Sequence, residues 1–136
     1  MKRYLWAAVI LVLVSALAGW DSGRTVKYRL YIGLNDQDTY QQVKSTEEAQ
    51  ELVAEIALKY VEGFTLITAQ GVYTDHLGVV TRENTLICEI IGASEEQINH
   101  IMDEVLSALN QSAILVEREE VESRFYAGSA LRGAAQ

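Results

Sequence analysis

Apolar residues recur along the chain with two periods, and each change of period marks a new element. Over residues 25–34 they alternate. Val26, Tyr28, Leu30, Ile32 and Leu34 fall on one side, and Lys27, Arg29, Tyr31 and Gly33 on the other, as in a half-buried strand. Residues 35–44 are a polar loop with Tyr40 and Val43 as the expected anchors. The period then lengthens. Ala49, Leu52, Val53, Ile56 and Tyr60 recur at helical spacing behind Ser45 and Glu48, which form a capping box, and Glu47 suits the positive end of the helix dipole. Gly63 is expected to end this helix as a left-handed C′ residue.

Two strand-like runs follow, residues 64–73 and 79–91, joined by a short polar connection. Its Gly78 can take the positive φ that a tight turn demands. In the second run Leu86, Cys88 and Ile90 share one side, and Thr81, Glu83, Thr85, Ile87 and Glu89 share the other. Ser94 and Gln97 make a second capping box ahead of the stripe Ile98, Ile101, Met102, Val105 and Leu109, with Asn110 placed to close that helix. A last strand starts within residues 112–116 and runs through the charged stretch 117–122, with a bulge expected near Glu120, to Phe125 or Tyr126. The order β-α-β-β-α-β predicts an α+β fold, the ferredoxin-like plait. Two right-handed split β-α-β units place both helices on one face of a four-stranded antiparallel sheet, with the first and third strands in the centre.

The N-terminus follows a different rule. Lys2 and Arg3 precede a 15-residue stretch, 4–18, that is apolar apart from Ser15. A membrane-spanning helix needs about 20 apolar residues. Ala16-Leu17-Ala18 supplies the small residues read by signal peptidase, so residues 1–18 are expected to be an export signal cleaved before Gly19. An uncleaved membrane anchor is the alternative, and it is the only route to a membrane. Leu17-Ala18-Gly19 followed by cysteine would be a lipoprotein signal, but Trp20 stands in that place and has no thiol to acylate. On this reading residues 19–24 are a linker, 25–126 the domain, and 127–136 a frayed tail outside the cytoplasm.

Composition narrows the function classes. The chain has 136 residues, 49% of them hydrophobic, which is enough for a core. Nineteen acidic residues against eleven basic ones give a net charge of −8, so the counterion release that drives nucleic-acid binding is missing, as is attraction to anionic lipid. One cysteine allows no internal disulfide. Two histidines, His76 and His100, give no zinc spacing, so neither metal nor cofactor is expected.

Short landmarks carry a resemblance. Leu30-Tyr-Ile-Gly-Leu34, Glu62-Gly-Phe-Thr65, Gln70-Gly-Val-Tyr73 and Glu83-Asn-Thr-Leu86 occur in the order seen in the bacterial domain-of-unknown-function family 3574. The chain resembles that family over roughly residues 28–125. The resemblance implies a small exported α+β domain, often behind a signal or lipoprotein peptide, and supplies no catalytic residue.

With both helices on one face, the other face of the sheet must be wet, paired or occupied. Arg29, Tyr31, Glu83, Thr85, Ile87 and Glu89 are expected there, with Tyr73 near the hairpin end. Glu83 beside Arg29 reads as a cross-strand ion pair. The sharper alternative is a general base held by a guanidinium, with Tyr31 or Tyr73 as proton donor. Gly33 and Gly71 read as bulges or as places where a ligand approaches. Cys88 reads as a small core residue, His76 as an exposed turn residue, and His100 as lying on the solvent side of its helix. The run 117–122 reads as an edge strand protected by charge, with a cation-binding edge as the alternative. Two functions fit: a non-catalytic envelope module that binds itself, a protein or a small ligand through the open face, and a small enzyme of the dimeric α/β-barrel type.

Overall fold

The computed structural model describes residues 23–126, so the signal segment and the tail 127–136 lie outside the described residues, as does most of the linker. Six elements follow one another: β1 (Arg24–Gly33), α1 (Thr46–Ala57), β2 (Thr65–Thr74), β3 (Val80–Ile91), α2 (Glu95–Ala108) and β4 (Leu115–Glu122). The sheet order is β2-β3-β1-β4, with β3 antiparallel to both β1 and β2. This is the ferredoxin-like plait that the element order predicts. The chain divides into two compact units, Val26–Glu120 and a second that includes residues 23–25 and 121–126. In the second, Gly23 has φ +60° and its carbonyl accepts the Ser123 N–H at 2.8 Å.

Alternation decides which side of each central strand is buried. Leu30 and Ile32 of β1, with Leu86, Cys88 and Ile90 of β3, have no exposed surface. They pack with Ala49, Val53, Ile56 and Ala57 of α1 and Ile98, Ile101 and Val105 of α2. Burial without a charged partner pushes the Cys88 thiol up to about 12.

Both capping boxes are present. Ser45 Oγ accepts the Glu48 N–H at 3.1 Å while Glu48 Oε2 accepts the Ser45 N–H at 2.8 Å. Ser94 and Gln97 exchange the same pair of bonds. Asn110 closes α2 with φ +48°, and the Gln111 N–H reaches back to the Leu106 carbonyl at 2.9 Å, a Schellman closure. Gly63 has no such role. Helix α1 is capped at Leu58, and Lys59 and Tyr60 tighten its end by bonding to the carbonyls of Ile56 and Ala57. The chain has therefore left the helix before Gly63 is reached.

The 35–44 loop is held by polar groups instead of the expected anchors, since Tyr40 is 56% and Val43 69% exposed. Asp36 Oδ1 accepts the N–H groups of Asp38 and Thr39, and Asn110 Nδ2 donates to Asp36 Oδ2 at 2.7 Å and to Asp38 Oδ2 at 2.8 Å. These bonds hold the Asp36 carboxyl below its usual range, with Asn110 the largest cause. Strand β4 ends at Glu122, short of Phe125 and Tyr126. Its neighbour β1 begins at Arg24, so no strand is left to pair with beyond that point. In the β2–β3 connection Gly78 takes φ +79°, and Asp75 Oδ1 accepts the N–H groups of Leu77 and Val79.

Candidate functional site

Register arranges the side of the sheet away from the helices into rows. Arg29 of β1 lies opposite Glu89 of β3, which lies opposite Thr65 of β2. The next row is Tyr31, Ile87 and Ile67, and the next Gly33, Thr85 and Ala69. Beyond them Glu83 faces Gly71, and Thr81 faces Tyr73. All seven residues expected on this face are there: Arg29, Tyr31, Tyr73, Glu83, Thr85, Ile87 and Glu89. The structure does not join them into one site.

Arg29 pairs with Glu89, not with Glu83. Its Nε and Nη2 donate to Glu89 Oε2 at 3.1 and 2.8 Å, and its Nη1 donates to Glu117 Oε2 at 3.3 Å. The Glu89 bonds, more than any other contact, raise the Arg29 pKa. Tyr31 Oη donates to the same Glu117 oxygen at 3.2 Å, and Lys27 pairs with Glu119 at 2.9 Å. Lys27 and Arg29 of β1 are thus matched by acids of β3 and β4. The acid/base group of Glu83, Arg29 and Tyr31 is not assembled.

Glu83 has a different setting. A Cβ added at Gly33 would stand 2.6 Å from Glu83 Oε1 and 2.7 Å from Oε2, so the carboxylate lies against bare backbone. It accepts the Asn35 N–H at 3.1 Å. A Cβ added at Gly71 would stand 2.8 Å from Thr85 Oγ1. Thr85, 8% exposed, is held under this arrangement. The β2–β3 ladder runs through Gly71, and the β1–β3 ladder reaches Gly33, without a bulge, so the close approach these glycines permit is made by the protein's own side chains. Desolvation is the main cause that raises the Tyr73 pKa, with the Glu83 charge second.

The other candidates are placed simply. Cys88 is buried, and His76 is exposed in the turn with Tyr40 tilted 6.4 Å from it. His100 stacks on Tyr60 at 5.3 Å. Among the described residues no cluster of three or more His, Cys, Asp or Glu side chains could hold a metal ion. A depression of about 120 Å³ lies between the 35–44 loop and the ends of the helices, away from this face, and its Asp36 is already committed to Asn110. Sequence reasoning missed Ile67, and read Glu117 and Glu119 only as part of a charged edge, not as partners of Arg29, Tyr31 and Lys27. Alternation in β2 and β4 carried the signal, once Tyr73 was placed on the open side.

A family model described as "Protein of unknown function (DUF3574)" matches residues 27–125. No curated protein matches the chain. Among solved structures, a phage SAM lyase in complex with S-methyl-5'-thioadenosine superposes with a TM-score of 0.54 at 19% identity, covering 75% of this chain and 92% of that one. A phage SAM lyase in the apo state gives 0.52 at 20%, with 76% and 94% covered. CutA from Synechococcus elongatus gives 0.49 at 12%, with 74% and 81% covered. At these identities the likeness is one of fold.

Proposed function

The chain belongs to the DUF3574 family, and from that premise we propose that it is an exported, non-catalytic module whose working surface is the open sheet face. The observation that carries this reading is the row Tyr31–Ile87–Ile67. It crosses three strands, ends in an isoleucine that is 46% exposed, and is bordered by the Arg29–Glu89–Glu117 ion pairs. Apolar area inside a polar rim is how interface centres are built. Its occupant is a protein partner, a small ligand or a second copy.

The enzyme reading has less support. Arg29 and Tyr31 are engaged with Glu89 and Glu117, and Glu83 stands apart from both. The likeness to a phage SAM lyase is one of fold, and a fold hosts many functions.

Native mass spectrometry of the purified protein is expected to report a bound molecule or more than one subunit. Ile87→Arg and Tyr31→Glu are expected to remove what is bound at this face and leave the circular-dichroism spectrum unchanged. A lone, unliganded chain, or bound molecules and subunits all of which survive both substitutions, refutes the reading. Export rests on Lys2, Arg3 and the 4–18 segment, and N-terminal sequencing of envelope or medium protein is expected to begin at Gly19. An intact Met1 on cytosolic protein refutes it.

A further inference from the structure

We infer that the outer edge of β2 is a strand-pairing seam for a second copy of this chain, joining two four-stranded sheets into one of eight. The two edges of the sheet differ in a way the fold does not require. At one edge, β4 carries Glu117, Arg118, Glu119, Glu120 and Glu122 among its eight residues. At the other, β2 reads TLITAQGVYT: ten residues without a charge or a proline. An edge strand presents a row of unpaired N–H and C=O groups, and proteins that must stay apart interrupt it with charge, proline or shortness. The β4 edge is protected in this way and the β2 edge is not.

Self-complementarity selects the occupant. Antiparallel pairing of β2 with its own copy about a two-fold axis is isologous, so each contact is made twice. An axis through Gln70 sets Ile67 opposite Tyr73 and Ala69 opposite Gly71 on the open side, and Thr68 opposite Val72 on the helix side. No like charges meet. The Ile67–Tyr73 contact is a β-branched–aromatic pair of the kind that stabilises sheets, and in a lone chain Ile67, Tyr73 and Val72 are 46%, 41% and 53% exposed. Pairing β4 with itself would set acid against acid.

The same register carries the hairpin tip beyond the start of the other copy's strand. At that tip Leu77 is 75% exposed, and ahead of the strand Gly63 has nothing within 4 Å of its Cβ position. Pairing at this edge leaves the open face free and sets two copies of it side by side, so it does not depend on what that face binds.

The test uses the protein as purified from cells, with sedimentation velocity over a concentration series and disulfide trapping. A reversible dimer is expected. Gln70→Lys brings two like charges together at the axis and is expected to weaken association by about tenfold or more, with unchanged circular dichroism. Gln70→Cys is expected to cross-link two chains under mild oxidation, while Glu120→Cys on the other edge does not. A chain that is monomeric at every concentration overturns the inference, as does cross-linking at residue 120 in place of residue 70. A dimer kept in Gln70→Lys but lost in Ile87→Arg moves association to the open face, which overturns the seam and upholds the functional reading. The reverse result upholds the seam.

Discussion

Gly33→Ala tests the placement of Glu83 through the sign of its effect. The backbone at Gly33 is outside the left-handed region, so alanine is allowed there. In a strand the exchange by itself should stabilise by about 0.5–1 kcal/mol, because the unfolded chain loses freedom. The new Cβ, however, would stand 2.6 Å from Glu83 Oε1, where ordinary contact begins at 3.4 Å. The carboxylate is the free end of a flexible side chain, so it swings away and gives up the Asn35 N–H at 3.1 Å. A hydrogen bond to a charged group contributes about 1.5–3 kcal/mol, and partial exposure puts this one at the low end. Gly33→Ala should therefore cost about 1 kcal/mol in the parent. In a Glu83→Ala background the obstacle is gone, and the same substitution should stabilise by about 0.5 kcal/mol. Urea denaturation of the four proteins closes the cycle, read as midpoints at constant slope. The expected coupling is about 1.5 kcal/mol, above the 0.3–0.5 kcal/mol scatter of independent sites. Additivity within that scatter, or stabilisation in both backgrounds, would show that the Glu83 carboxylate does not rest on Gly33.

Other parts of the fold give further expectations. Leu86→Ala should cost about 2–5 kcal/mol in the same denaturation assay, and Cys88 should resist thiol reagents until the protein unfolds; rapid native labelling would mean the faces of β3 are reversed. Asn110→Gly should be less destabilising than Asn110→Ala, because glycine tolerates φ +48° while both lose the bonds to Asp36 and Asp38; the opposite order in thermal unfolding would refute the closure described for α2. The carboxyls of Asp36, Asp75, Glu48 and Glu104 are all lowered, so in the acid range the unfolded chain binds more protons than the folded one and stability rises with pH. The urea midpoint should therefore fall between about pH 5 and pH 3, less steeply in Asp36→Asn, and a midpoint that rose on acidification would contradict the bonds assigned to these groups.

The elements and their buried sides were legible because alternation and helical spacing are local. Val26 through Leu34 and Leu86 through Ile90 declare their faces within a few residues, and Ser45 and Ser94 sit a fixed three residues from their capping partners. The family was legible from the spacing of its landmarks. The partner of Arg29 was not. Glu83 and Glu89 share a face of β3, and a slide of β1 by any even number of residues keeps the hydrophobic pattern intact. No short turn joins β1 to β3, so nothing near in sequence sets their register. The loop anchors failed for a related reason. Asp36 with Asp38 and Thr39 is a recognisable turn pattern, but its partner Asn110 is 74 residues away.

The bond from the Ser123 N–H to the Gly23 carbonyl brings together the start of β1 and the end of β4, the first and last strands of the sheet. A linker of a few residues would close the ring at that point, and the ring could be reopened at residues 75–78, between β2 and β3, without cutting a strand or a helix. The permuted chain would run β3-α2-β4-β1-α1-β2 and keep every neighbour in the sheet. In this fold the order of strands across the sheet, more than their order along the chain, is what the packing requires.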